Sequence, residues 1–234
     1  DEAVEIAKAA ANDPWLSVDG AMTHFASADD PAADDATRVQ IETFRRVLRR
    51  LADAGIAPRW VHACNSHGIA RFPEAHFNLV RPGLGLLGYA VVDGAPMVGT
   101  RPVVRLTTRI VAVKQIPTGA PVGYGATWHA AVPTTIALAA IGYGDGYPRA
   151  FSNRGWRAVN GAPCRVIGRV SMDVTTLDVT GAGDVSPGDE VVVYGDGPGE
   201  PTLVEAADAA DTIAYELLAR VTSRVRRIYR RSHG

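Results

Sequence analysis

Apolar residues in the first ninety positions form short blocks whose spacing switches between that of a strand and that of a helix. Ser17-Val18-Asp19-Gly20-Ala21-Met22-Thr23-His24-Phe25-Ala26 reads as a short buried strand that delivers His24 into a loop rich in Ala, Asp and Pro, from Ser27 to Asp35. From about Asp35 the spacing is helical. Phe44, Val47, Leu48 and Leu51 fall on one face, Arg45, Arg46, Arg49 and Arg50 cover the other as a solvated face, and Gly55 ends the run. Trp60 to Cys64 reads as the next strand and Asn65-Ser66-His67-Gly68 as a polar loop with helix-start chemistry at Ser66. Ile69 to Phe77 is a short amphipathic piece before Leu79-Val80. With an alanine-rich helix opening the chain from Asp1 to Asn12, the rhythm predicts βα units around a parallel sheet.

The stretch that organises this half is Val80-Arg81-Pro82-Gly83-Leu84-Gly85-Leu86-Leu87-Gly88-Tyr89. Proline forces extended geometry on Arg81, and the glycines let backbone N–H groups approach a ligand that a β-carbon would hold away. Such a turn suits a phosphate, with the permanently charged fork of Arg81 at its mouth. A strand end followed by a leucine-packed turn is the alternative. Each loop after a strand carries a polar residue, His24, Ser66 or Arg81, and in a (β/α) barrel those ends form the ligand face. His62, Cys64 and His67 do not make a metal set, because no full set of ligands appears around them. His76 reads as a surface or core histidine.

From about Arg101 the pattern becomes that of short strands between turns. Val104 to Val113 is long and β-rich, and turns recur at Pro117-Thr118-Gly119, Gly142 to Pro148, Asn160-Gly161, Pro187-Gly188 and Gly195 to Pro201. One helix is expected from Glu205 to Val221, with Ile213, Leu217 and Val221 along one side. The boundary between the halves is placed at Asp93-Gly94-Ala95-Pro96, giving domains 1–98 and 99–234. Three stretches are unusual for plain β packing: Gly123-Tyr124-Gly125, where glycines expose a phenol; Gly142 to Arg149, a polar aromatic turn; and Gly168-Arg169-Val170-Ser171-Met172-Asp173.

Composition narrows the function little. Hydrophobic residues make up 47%, and 24 basic against 25 acidic side chains leave a net charge of −1, no overall case for nucleic acid or a membrane surface. Cys64 and Cys164 stand far apart without CxxC spacing, as expected of reduced thiols in a cytoplasmic protein. No apolar run reaches the ~18–20 residues of a membrane span.

Taken together, six motifs in order, MTHFA, HACNS, VRPGLGLLGY, VGYGATW, GYGDGYPR and GRVSMD, supported by TIAYELLARVTSRVRRIY, resemble the alanine racemase family from about Val18 to Tyr229. The resemblance implies an α/β plus β fold: the second half of a (β/α)8 TIM-like barrel followed by a mostly β carboxyl-terminal domain. It implies pyridoxal 5'-phosphate as cofactor, its phosphate held by Ser66, the backbone of Gly83 and Leu84, and Tyr215. Arg81 would face the pyridine nitrogen with His62 as its neighbour, and His24 would lie close to the cofactor. Tyr124 would be the catalytic base. Met172 would bind substrate through its backbone, while Tyr143, Arg149 and Arg169 would line the substrate corridor. No metal is implied.

The implied reaction interconverts L- and D-alanine through a cofactor Schiff base, supplying D-alanine for peptidoglycan. Racemisation removes a proton from one face of the α-carbon and returns one on the other, so two bases are needed, a tyrosine and a lysine. A guanidinium opposite the ring nitrogen keeps that nitrogen unprotonated, which weakens the electron sink and limits side reactions. The chain has two lysines, Lys8 and Lys114, and neither stands in the family's lysine context. With only about ninety residues before the boundary and Asp1 in place of Met, the chain is expected to be partial, requiring the missing barrel half and inactive alone. The family's head-to-tail homodimer would bring Tyr124 to the partner's barrel. His67-Gly68 and Ser171 depart from the usual family residues and leave the substrate range open, so a racemase of broader specificity, acting on serine or larger side chains, is one other reading; the missing lysine suggests a second, a non-catalytic binding or assembly fragment. The arginines at 220, 224, 226, 227, 230 and 231 are expected to protect a terminal strand edge, not to bind nucleic acid.

Overall fold

The computed structural model describes residues 2–89, 91–92, 95–97 and 99–230, so Asp93-Gly94 of the expected boundary and Arg231 lie outside the described residues. The chain divides into two compact units, Asp1–Arg101 and Pro102–Gly234.

In the first unit, α1 (Glu2–Ala11), β1 (Gly20–Met22), α2 (Asp34–Asp53), β2 (Trp60–His62) and α3 (Ser66–Arg71) follow in order, with a short antiparallel pair, β3 (Val91–Val92) and β4 (Ala95–Pro96), at its end. Strands β1 and β2 run parallel, Gly20 opposite Trp60 and Met22 opposite His62. The N–H of Thr23 donates to the His62 carbonyl (3.2 Å), which carries the pairing to the point where His24 leaves the strand. Beyond β2, the Asn78 N–H reaches the Val61 carbonyl (3.3 Å) and the Arg81 N–H reaches the Cys64 carbonyl (3.0 Å). Three segments therefore end side by side, bringing His24, His62 and Arg81 to one edge.

Burial drives this arrangement. Phe25, Ile41, Phe44, Cys64 and Phe72 form one core, with Val80 packed against it. Phe25 meets Phe72 edge-on at 5.9 Å between ring centroids, and Phe44 meets Phe77 at 5.3 Å. As the spacing predicts, Phe44 and Leu51 are buried on α2, while Arg46, Arg49 and Arg50 are exposed. Gly55, at φ 74°, turns the chain after that helix. The expected strand Ser17–Ala26 shortens to three residues, and the piece Ile69–Phe77 becomes the end of α3 and a 3₁₀ turn, Pro73–Ala75. Asn65 caps α3 in place of Ser66: its side-chain oxygen accepts the Gly68 N–H at 2.9 Å.

The second unit is a closed antiparallel barrel of six strands: β5 (Leu106–Ile116), β8 (Thr134–Ala139), β9 (Trp156–Val159), β10 (Ala162–Val166), β11 (Thr175–Asp178) and β12 (Glu190–Tyr194). Around the barrel the order is β5, β8, β11, β10, β9, β12 and back to β5. Ile110, Ala137, Val159, Leu177, Val191 and Val193 are buried. A two-stranded ribbon, β6 (Pro121–Val122) and β7 (Trp128–His129), stands between β5 and β8 and carries Tyr124 at its tip. Ile116, Val122, Ala130 and Ile167 form the core beneath it.

Two helices, α4 (Leu203–Ala209) and α5 (Ala214–Arg220), replace the single helix expected from 205 to 221. Thr202 and Glu205 cap the start of α4 reciprocally. Asp211 then takes φ 54°, the Thr212 N–H returns to the Ala207 carbonyl (3.0 Å), and the Thr212 hydroxyl bonds Glu216 in the next helix. These local polar bonds offer the backbone an alternative to continued helix. Ile213 is left 62% exposed, off the expected apolar side. Residues 221–230 form no strand; instead, Arg227 donates to the Val221 and Thr222 carbonyls, folding the tail on itself.

Candidate functional site

Arg81 is the centre of the site in the first unit. Its Nη1 bonds His62 Nδ1, while Nη2 reaches the Thr23 carbonyl (3.1 Å), the Ala63 carbonyl (3.1 Å) and His24 Nδ1 (3.2 Å). The acceptors come from the ends of β1 and β2, so the fork is fixed by the parallel sheet itself. A guanidinium can only donate; His62 therefore presents a bare Nδ1 and carries its proton on Nε2. Burial, together with the Arg81 charge, holds the His62 pKa below the ordinary histidine value, which keeps the ring neutral. Arg81 is left with Nε as the donor that none of these bonds uses.

Next to this fork lies a cradle of backbone N–H groups. Ser66 is fully buried, and its Oγ accepts from the Gly83 N–H (3.0 Å) and the Gly85 N–H (3.0 Å). A Cβ on Gly85 would sit 3.2 Å from Ser66 Oγ and 3.0 Å from the Met97 side chain, closer than most real contacts, so a side chain there would press on the serine. Leu84 opens the 3₁₀ turn Leu84–Leu87. Serine, Gly83 and Leu84 are thus brought together, as the sequence predicts.

Two residues missed in the sequence support this edge. Gln40, half-buried on α2, donates to Thr23 Oγ1 (2.9 Å) and to the His24 carbonyl (2.7 Å). Asn78 accepts the Val61 N–H (2.8 Å) and donates to the Arg59 carbonyl (2.8 Å). Neither has a sequence signal, because each acts on backbone far away in the chain. Cys64, whose thiol donates to the Ala75 carbonyl at 3.2 Å, is pushed up to about 11 by burial and stays a neutral core thiol. The ring of His76 bonds the Ile69 carbonyl at 2.8 Å. Among the described residues, no three His, Cys, Asp or Glu side chains gather as metal ligands.

The second unit carries the other candidates, and joins the Tyr124 turn to Arg169 and the Tyr143 turn to Met172. Tyr124 is 71% exposed in a 3₁₀ turn flanked by Gly123 (φ 73°) and Gly125 (φ 70°). Both glycines face Arg169. A Cβ on Gly123 would stand 2.8 Å from the Arg169 nitrogen, and one on Gly125 would collide with its guanidinium. Arg169 thus lies under both shoulders of the tyrosine turn. Two and three residues beyond Arg169, the Ser171 carbonyl accepts the Tyr143 N–H (3.0 Å) and the Met172 carbonyl accepts the Gly144 N–H (2.8 Å). Tyr143 and Met172 are exposed beside each other, 45% and 51%. Tyr147, in the same turn, stacks on Phe151 at 4.4 Å and bonds the buried Arg157, whose guanidinium lies 4.4 Å over the Phe151 ring. Burial pushes the Tyr147 phenol up to about 12, so it stays neutral there.

Arg149 is exposed at the start of the next turn, which Ser152 and Asn153 tie to the Gly168 segment. Ser152 Oγ accepts the Val170 N–H (3.0 Å), and Asn153, at φ 59°, accepts the Gly168 N–H (2.6 Å) and donates to Thr127 Oγ1 (3.1 Å). Sequence reading missed both residues. The only available signal was Asn153 as a residue tolerant of left-handed backbone. Tyr215, 41% exposed on α5, belongs to this second unit and not to the unit that carries Ser66 and Gly83.

A neutral histidine and a fixed guanidinium beside a glycine turn, at the ends of parallel strands, in a chain that also carries a six-stranded barrel, define a class that comparison with known proteins narrows. Residues 1–91 match the alanine racemase N-terminal domain and residues 103–229 the alanine racemase C-terminal domain. An alanine racemase of Desulfosudis oleivorans is 39% identical over 231 residues, covering 97% of this chain and 59% of the relative. One of Sorangium cellulosum is 41% identical, with 94% of this chain and 59% of the relative covered. Among solved structures, alanine racemase from Streptomyces lavendulae superposes with a TM-score of 0.85 at 38% identity, over 96% of this chain and 59% of that one. The structure from Bartonella henselae, with covalently bound pyridoxal phosphate, matches at a TM-score of 0.79 and 32% identity, over 92% of this chain and 57% of that one. The chain belongs to the alanine racemase family and has its fold over the matched residues. It spans about 59% of the length of the relatives it matches.

Proposed function

We propose that this chain is part of a pyridoxal 5'-phosphate enzyme that interconverts L- and D-alanine, with residues 1–98 as the carboxyl-terminal half of the cofactor barrel and 99–234 as the β domain. The observation that carries the reading is the Arg81 fork, held on His62, His24 and two carbonyls, beside the Ser66–Gly83–Gly85 cradle.

The residues present fit the cofactor. The cradle offers a buried serine hydroxyl that has a proton to donate, beside glycines whose missing side chains let backbone come close, the requirements for close approach to a phosphate. Tyr215 joins them in our reading. When bound, pyridoxal phosphate supplies the electron sink that makes an amino-acid α-proton removable. Arg81, unable to give up its proton, would face the pyridine nitrogen and keep it unprotonated; His62 and His24 hold the guanidinium in place. Tyr124 Oη takes the α-proton on one face and returns it in the reverse direction. The backbone of Met172 receives the substrate carboxylate, and Tyr143, Arg149 and Arg169 line the approach, two of them cationic toward an amino-acid carboxylate.

The second base of the reaction is a lysine. Lys8 is exposed on α1 and paired with Glu5 at 2.9 Å, and Lys114 is exposed on β5; we assign the role to neither. These 234 residues alone are accordingly inactive, and activity requires the remaining length of the relatives, in a head-to-tail homodimer in which Tyr124 serves the partner's barrel. Its place would be the cytoplasm, making D-alanine for peptidoglycan. The described residues include no helix long and apolar enough to cross a membrane.

The test is alanine racemisation by protein carrying this chain within the full family length, followed by polarimetry or coupled oxidation of D-alanine. Tyr124→Phe should lower kcat by about 10²–10⁴-fold with cofactor still bound. Faster turnover of serine than of alanine would favour the broader racemase, and a folded, cofactor-loaded protein without turnover would favour the non-catalytic fragment.

A further inference from the structure

Arg224 lies in the tail beyond α5, inside the supporting stretch TIAYELLARVTSRVRRIY but at a position to which the resemblance assigns no role. Its Nε stands 3.2 Å from Asp145 Oδ1, and its Nη2 stands 2.5 Å from Asp173 Oδ1. Asp145 belongs to the Tyr143 turn, where its other oxygen accepts the Gly142 N–H at 2.9 Å. Asp173 follows Met172 directly. The guanidinium presses so close to Gly144 that a Cβ there would collide with it. Two residues earlier in the tail, Thr222 donates its N–H to the Asp145 carbonyl and its hydroxyl to the Gly144 carbonyl, each at 3.1 Å. Between these clamps run the two backbone bonds that join the turn to the loop, Tyr143 N–H to Ser171 and Gly144 N–H to Met172.

We propose that Arg224 is a positioning residue for the substrate wall: by bridging Asp145 and Asp173 it holds the Tyr143 turn against the Met172 loop and fixes where the substrate carboxylate is received. The inference rests on the racemase reading, since it takes Met172 and Tyr143 as that wall. The chemistry calls for arginine. A planar fork spans two carboxylates that the point charge of a lysine would serve one at a time. The ion pair is half-exposed, and such pairs contribute little to stability, so its removal leaves the protein folded and loosens only what it spans.

The experiment uses the cofactor-loaded enzyme with Arg224→Gln and Arg224→Lys, read by steady-state kinetics and by amide exchange of residues 142–147 and 171–174. Arg224→Gln should raise KM for alanine about 10-fold with kcat changed less than about 3-fold, the pattern of lost binding and not of lost folded enzyme. Exchange at Gly144 should quicken, and Arg224→Lys should fall between the two. Unchanged KM, or a raised KM with exchange at Gly144 unaltered, overturns the proposal. Absence of racemisation by the unaltered enzyme would refute the racemase reading instead, and the exchange experiment would then judge the clamp by itself.

Discussion

Ser66→Ala tests the cradle most directly. The substitution removes one oxygen that accepts two backbone N–H groups, those of Gly83 and Gly85, each at 3.0 Å. Gly85 is buried, so its stranded N–H carries the desolvation penalty of an unsatisfied donor, about 1–3 kcal/mol. Gly83 is exposed and regains water, losing about 0.5 kcal/mol. The sum, about 1.5–3.5 kcal/mol, is a large share of the ~5–15 kcal/mol that holds a domain, and for a unit of this size it lowers the melting temperature by roughly 6–28 °C. Urea unfolding without cofactor, followed by the fluorescence of Trp60 on β2, reads it. With cofactor, loss of one charge-assisted bond, about 1.5–3 kcal/mol, weakens binding by about 10- to 100-fold, measurable by equilibrium dialysis. An unmoved unfolding midpoint would refute the accounting of the two amides. Lowered stability with unaltered cofactor affinity would show that the hydroxyl holds the turn and touches no phosphate.

Gly125→Ala should cost about 2 kcal/mol, from left-handed backbone at φ 70° and from collision with Arg169; thermal melts check it, and kcat should fall as the Tyr124 turn shifts. His62 is held below the ordinary histidine pKa in the folded state, so as pH falls below about 6.5 the unfolded chain binds a proton that the folded one refuses. Stability is therefore lost between that pH and the lower folded value, and His62→Gln should remove this part of the slope in urea unfolding measured at about pH 7 and about pH 5.

The parts of the site that were legible in the sequence are those in which a residue's own neighbours state its task. Pro82 with Gly83 and Gly85 announces a close-approach turn, and glycines on either side of Tyr124 announce an exposed phenol. The spacing of Phe44 and Leu51 announces a helix face. What stayed hidden acts across the fold: Gln40 on the His24 carbonyl, Asn153 on Gly168, Arg224 between two aspartates. Each is an ordinary polar residue until the chain brings it to its partner. The split between α4 and α5 escaped because alanines on both sides of Asp211 keep helical spacing while a left-handed residue and the Thr212–Glu216 bond break it. The tail read as a strand with a basic edge, but Arg227 turns back to the Val221 and Thr222 carbonyls of its own turn.

Closure of the six-stranded barrel imposes an order of assembly. The β9–β10 hairpin is joined by Asn160-Gly161, both left-handed at φ 52° and 76°, the geometry of the tightest hairpin turns, and such hairpins form within about 1–10 μs. The seam between β5 and β12 is different: Arg109 must find Glu190. On a ribosome adding about 5–20 residues each second, β5 waits several seconds for its second neighbour, with one hydrogen-bonding edge open throughout. The long, polar-studded β5, with Thr107, Arg109 and Lys114 along it, is the strand that must stay solvated during that interval, which gives its exposed charges a part in biosynthesis as well as in the finished fold.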